Sequence, residues 1–131
     1  MQKEKKEVNE KMDNKNVFTK GLTDFLILSI LEKKDSYVYE IVGDISELSD
    51  KMIPISLNTF YSAIYKLEEN SFITSYSKLV GRKRTRIYYH IEPKGKNLLK
   101  QLSDDYSKTV EGVSRIFSRI NKKESNSNDN G

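Results

Sequence analysis

Ser56-Leu57-Asn58-Thr59-Phe60-Tyr61-Ser62-Ala63-Ile64-Tyr65-Lys66-Leu67-Glu68-Glu69 reads as one helix of about four turns. Ahead of it, Pro54 disfavours the α region for Ile53 and keeps Ile53-Pro54-Ile55 extended. Ser56 then offers a hydroxyl to the first free N–H groups. Leu57, Phe60, Ile64 and Leu67 recur at helical spacing with Ala63 beside them, giving an apolar stripe that anchors the helix. The opposite face carries Asn58, Thr59, Ser62, Lys66 and Glu69, with Tyr61 and Tyr65 nearer the boundary. Short hydrogen-bonding side chains at the leading end of an anchored helix are what reading base edges in a major groove requires. Taken alone, the pattern describes an ordinary amphipathic surface helix; its neighbours decide between the two.

Asn70-Ser71 closes the helix, with Asn70 expected in the left-handed conformation. Phe72 to Val80 is rich in β-branched and aromatic residues and reads as a strand. Gly81-Arg82-Lys83-Arg84-Thr85 is a turn. Arg86 to Glu92 alternates Ile87, Tyr89 and Ile91 against Tyr88 and His90, a second strand with Tyr89 and Ile91 toward the core. Between Ser71 and Ile91 there is no Asp or Glu, yet Lys78, Arg82, Lys83, Arg84 and Arg86 all lie there. The whole chain carries a formal net charge of only +4. A cationic hairpin tip on an otherwise balanced protein indicates contact with a polyanion at one place. His90, the sole histidine, falls on the outer face without the companions that metal binding or catalysis would need.

Upstream, Phe18 to Lys33 holds Phe25-Leu26-Ile27-Leu28 and Ile30-Leu31, apolar around most of a helix circumference. Such a helix is buried on more than one side, here by its own core and by a second subunit. Lys34-Asp35-Ser36 is a turn and cap signal. Tyr37 to Leu48 follows as a helix, with Tyr37, Ile41, Ile45 and Leu48 at helical spacing. After the hairpin, Pro93 suits the first turn of a helix. Leu99, Leu102, Tyr106, Val110, Val113, Phe117 and Ile120 then recur with gaps of three or four. That helix, of about 27 residues and about 40 Å, is too long for so small a domain to cover. An apolar seam of this kind pairs with a copy of itself. The expected organisation is a charged, flexible arm over 1–17, a DNA-binding domain over 18–93, a dimerisation helix over 94–121 and a disordered tail over 122–131. In the arm, Glu4, Glu7, Glu10 and Asp13 are interspersed with the lysines and argue against its tracking DNA.

Three helices and then a hairpin make a winged helix-turn-helix. The fold class is mainly α with a small two-stranded β-hairpin, plus a long C-terminal dimerisation helix. In that architecture the third helix enters the major groove and the hairpin tip lies on the flanking backbone. Hydrophobic residues make up 36% and charged residues 32% of 131, enough for one modest core. No apolar run spans a bilayer, Phe25 to Leu31 being the longest. The N-terminal residues lack a signal-peptide apolar region, and there is no cysteine, so the expected location is cytoplasmic. No Gly-rich phosphate loop, nucleophile system or metal spacing is present, so no enzyme, catalytic residue, cofactor or metal is expected. Two other readings are a winged-helix module that binds protein without DNA readout and an RNA binder stacking bases on Tyr76, Tyr88 and Tyr89.

The residues also resemble a known family. Thr59 to Glu69 is similar to the recognition-helix segment of PadR-type transcriptional regulators, Thr-Leu-Tyr-Pro-x-Leu-x-Arg-Leu-Glu. Tyr39-Glu40-Ile41 resembles that family's Gly-Tyr-Glu-(Ile/Leu). Arg84-Thr85-Arg86-Ile87-Tyr88-Tyr89-His90-Ile91 with Gly95 resembles its wing strand, (Arg/Lys)-x-Tyr-Tyr-x-(Leu/Ile)-Thr-x-x-Gly. The chain departs from the pattern at Val38, Phe60, Ser62, Ser71 and Glu92, where the family has Gly, Leu, Pro, Gly and Thr. The seam of the last helix, with help from the first apolar helix, predicts a homodimer on a palindromic double-stranded operator. The resemblance implies that it represses there and is released by a small hydrophobic effector at the dimer interface. The expected DNA contacts are Ser56, Asn58, Thr59, Tyr61, Ser62, Tyr65, Lys66, Arg82, Lys83, Arg84 and Arg86, with Tyr61 on phosphate by the resemblance. The expected dimer interface is Phe25, Leu99, Leu102, Tyr106, Val110, Val113, Phe117 and Ile120.

Overall fold

The computed structural model describes residues 22–129, with side chains through 123; the arm expected over 1–17 lies outside them. The elements are α1 (Thr23–Lys33), α2 (Val38–Leu48), α3 (Leu57–Glu69), β1 (Ile73–Val80), β2 (Arg84–Ile91) and α4 (Pro93–Asp129). The chain divides after Leu99 into two units, a boundary inside α4 rather than at its start. Each unit is built differently.

The first unit holds one hydrophobic core. Ile27, Leu28 and Leu31 of α1, Val38, Ile41 and Ile45 of α2, and Phe60, Ala63, Ile64 and Leu67 of α3 are buried, with Ile73 and Ile91 from the base of the hairpin. The apolar stripes therefore do what their spacing predicts, except at their ends. Leu48 is 77% and Leu57 43% exposed, although helical spacing assigns both to the core. Leu48 is the last residue of α2 and Leu57 the first of α3, so each stripe overhangs its packed neighbours there. Leu99, expected at a dimer interface, is 7% exposed and completes this core instead. Gly95 explains how α4 approaches the hairpin so closely: a Cβ there would overlap the Phe72 carbonyl oxygen and Ile91 Cγ1.

The hairpin pairs Ile73 with Ile91 at its base and Val80 with Arg84 at its tip, leaving 81–83 as the loop, with Gly81 at φ +75°. The second strand begins at Arg84 rather than Arg86. Between α1 and α2, Ser36 forms an antiparallel bridge to Tyr89, through Ser36 N–H to Tyr89 O at 3.3 Å and Tyr89 N–H to Ser36 O at 2.9 Å. The α1–α2 turn is thus laid along the wing as a short third member of the sheet. Ser36 is wholly buried, and nothing in its local sequence announces that role.

In the second unit, α4 runs to Asp129, so residues expected in a disordered tail from 122 are helical as far as 129. Along it Tyr106, Val110, Val113, Ile116, Phe117 and Ile120 are 44–60% exposed. Leu102 is half-buried. Glu111 and Arg115 pair one turn apart at 2.6 Å, a solvent-facing contact of little consequence for stability.

Candidate nucleic-acid interface

The interface begins at the N-terminus of α3. Ser56 has extended backbone, and its Oγ accepts from the Thr59 N–H at 3.2 Å. The hydroxyls of Ser56 and Thr59 also bond each other at 2.9 Å. Both residues are half-buried and committed to the cap, whereas Asn58 and Ser62 stand exposed. Tyr61 is 48% and Tyr65 68% exposed, and Lys66 is exposed beside them. Asn58, Ser62 and Lys66, with Tyr61 and Tyr65, therefore occupy one outward face, opposite Phe60, Ile64 and Leu67.

The far end of α3 is closed by a Schellman arrangement. Phe72 N–H bonds Leu67 O at 2.9 Å, and Ser71 N–H bonds Glu68 O at 3.0 Å. The left-handed residue is Ser71, at φ +62°, and not Asn70, which stays at φ −90°. Asn70 instead turns its side-chain amide back to Lys66 O at 2.8 Å.

The two faces of the hairpin have different tasks. Ser75, Ser77, Leu79, Ile87 and Tyr89 share one face by register. Ser75 Oγ donates to Glu68 Oε1 at 3.2 Å, so this face turns toward the last turns of α3. Burial, with Glu68 and Tyr61 nearby, pushes the Tyr89 phenol above its ordinary value. The other face stacks Thr74 with His90, Tyr76 with Tyr88, and Lys78 with Arg86. It meets the α1–α2 turn: Tyr76 Oη donates to Asp35 Oδ2 at 2.7 Å, and His90 Nδ1 lies 2.8 Å from Asp35 Oδ1. His90 is thus a surface residue with a partner. Tyr76 and Tyr88 are stacked on each other, 5.8 Å between centroids, with Lys78 over the Tyr88 ring, so neither offers a bare double face to a base.

Arg82, Lys83 and Arg84 are exposed at the tip, and Arg86 is half-buried. Among the described residues no ion pair engages any of the four. No group of acidic, histidine or cysteine side chains among the described residues is arranged to hold a metal, and no helix among them is long and apolar enough to cross a membrane.

The transcriptional regulator PadR-like family matches residues 27–101, which takes in α1 from Ile27 onward, α2, α3, the hairpin and the start of α4. The chain belongs to the PadR-like family. Among solved PadR-type structures and their neighbours, a transcriptional regulator from Clostridium thermocellum is 37% identical, with a TM-score of 0.67 over 72% of this chain and 89% of that one. A PadR family transcription regulator from Clostridium difficile is 31% identical, with a TM-score of 0.62 over 73% of this chain and 97% of that one. Bacillus subtilis PadR, solved in complex with operator DNA, is 24% identical and shares the fold, with a TM-score of 0.55 over 60% of this chain and 45% of that one. A protein from Lysinibacillus sphaericus is 32% identical over 92 residues, 70% of this chain and 84% of its own length. This PadR-like chain is accordingly a transcriptional regulator and not an enzyme.

Proposed function

We propose that this PadR-like regulator is a cytoplasmic homodimer that binds a palindromic duplex operator, represses transcription there, and is released by a small hydrophobic effector. One observation carries the DNA reading: α3 presents an exposed polar face anchored by a buried stripe, and the following hairpin ends in exposed cations with no acid among them. Asn58 and Ser62 reach base edges, Asn58 by a two-bond contact to adenine. Ser56 and Thr59, tied into the cap, meet phosphate at the helix N-terminus, where free N–H groups favour an anion. Tyr61, Tyr65 and Lys66 lie along the backbone. Arg82, Lys83, Arg84 and Arg86 track the flanking phosphates. The exposed seam of α4, with half-buried Leu102, supports pairing with a second copy; half-buried Phe25 of α1 is a separate candidate contact on the first unit. A cavity between two such apolar seams is where an effector would lodge.

Changing Arg82, Lys83, Arg84 and Arg86 together to Ala separates backbone contact from base reading. Fluorescence anisotropy across a salt series should show affinity falling for every duplex alike. The slope of log affinity against log salt should become shallower by roughly 0.9 for each phosphate no longer neutralised. A loss confined to one sequence would contradict the backbone role. No duplex binding by the unchanged protein at low salt would favour the protein-interaction module.

A further inference from the structure

Of Arg82, Lys83, Arg84 and Arg86, Arg86, opposite Lys78 on β2, is the one that a ring contact holds among the described residues. Its guanidinium carbon lies 4.4 Å from the centroid of the Tyr37 ring. Tyr37 does not belong to the wing; it is the N-cap residue of α2. Its ring stands edge-on to Tyr88, centroids 5.6 Å apart at 73°, and Tyr88 is stacked on Tyr76, whose hydroxyl is bound by Asp35. The ring under Arg86 is therefore itself wedged between α2 and the clamped wing. A guanidinium lying on an aromatic face keeps its N–H donors in its own plane, free for another partner. Among the described residues no carboxylate pairs with it. An ordered arginine with idle donors, on a strand without acids, is built to receive an anion.

We propose that Tyr37 is a positioning residue for DNA binding: it holds Arg86 in the orientation in which its guanidinium meets a backbone phosphate. This rests on the DNA-binding reading above. The side-chain ordering that binding would otherwise require of Arg86 is already done in the free protein, whereas Arg82, Lys83 and Arg84 must be ordered on contact. Tyr37 thereby links the helix-turn-helix to the wing, so that the cation moves with α2 rather than with the hairpin tip.

The test is a double-mutant cycle on duplex affinity in the full chain. Tyr37→Leu should weaken binding to all duplexes by about two- to tenfold, the range set by ordering one long side chain. Tyr37→Phe, which keeps the ring, should restore wild-type affinity. Arg86→Ala should make the salt slope shallower by about one, and adding Tyr37→Leu to it should cost nothing more. A Tyr37→Leu loss of the same size in both backgrounds, or none in either, overturns the proposal. Thermal melts show whether Tyr37→Leu is folded. If it is not, Arg86→Lys decides: lower affinity at an unchanged salt slope supports positioning by the ring, and unchanged affinity overturns it. Failure of the unmodified protein to bind duplex DNA removes the reading beneath the proposal and is recognisable as such, since it precedes any substitution.

Discussion

Ser71 holds a backbone position that most side chains avoid. At φ +62° its Cβ crowds the following carbonyl, which costs roughly 1–2 kcal/mol in the left-handed region. Glycine escapes that cost but loses more chain entropy on folding, roughly 0.5–1 kcal/mol. Ser71→Gly should therefore stabilise the first unit by about 0.5–1 kcal/mol, read as a higher urea midpoint at unchanged slope; a lower midpoint would show that the Ser71 conformation is unstrained. The position also shows what local sequence can tell. Asn-Ser after an apolar stripe says that a helix ends, and both residues are tolerable where it does. Only the hydrogen bonds from Ser71 and Phe72 to Glu68 and Leu67 decide which of the two turns left-handed. Ser56 is legible because a cap is a contact between near neighbours. The commitment of Thr59 to that same cap, at the expense of a free hydroxyl, is not, because a polar residue facing outward looks alike in sequence whether or not it is bonded.

Between elements, the contact of greatest consequence joins the α1–α2 turn to the wing. Asp35 accepts from Tyr76 and pairs with His90. Partial burial pushes its carboxyl up, but the hydrogen bonds from Tyr76 and His90 outweigh that and hold it below its ordinary 3.8. The folded state therefore favours the ionised carboxylate. Its contribution to stability is complete above the ordinary carboxylate value and disappears as pH falls through the lowered folded value. Thermal melting followed downward from about pH 5 should show a decline in Tm that Asp35→Asn lacks in part; parallel profiles for the two proteins would sink the idea. Among the described residues, sequence patterning finds each helix by its period and the two strands by composition and alternation. It misses this clamp, the Ser36–Tyr89 bridge and the Tyr37–Arg86 stack because each joins residues far apart in the chain. It also misplaces Leu48 and Leu57, since a period shows which side of a helix is apolar but not where the core beneath it stops.

For the whole molecule, the question is what α4 does with its apolar seam. Val110, Val113, Phe117 and Ile120 recur at coiled-coil spacing and are 45–60% exposed. Ile116, at 57% exposure, lies beside them, and a seam stepping from Val113 to Phe117 passes over it. Leu99 fails the seam for the opposite reason: it keeps the same period but is spent on the first unit's core. A twofold interface uses the same patch on both copies, so any substitution in it is made twice across one axis. Val113→Glu with Phe117→Glu would set like charges against each other in a site otherwise apolar, where each unpaired charge carries a desolvation cost of several kcal/mol. If the seam joins two copies as proposed, the unchanged chain should sediment as a dimer while the double variant sediments as a monomer, and so should a chain ending at Leu99, which retains the described core of the first unit. A monomer would hold only one recognition helix, so affinity for a palindrome should fall to that for a single half-site. If both altered chains still sediment as dimers, the seam on α4 is not what joins the copies, and the two half-sites would have to be bridged through α1 instead.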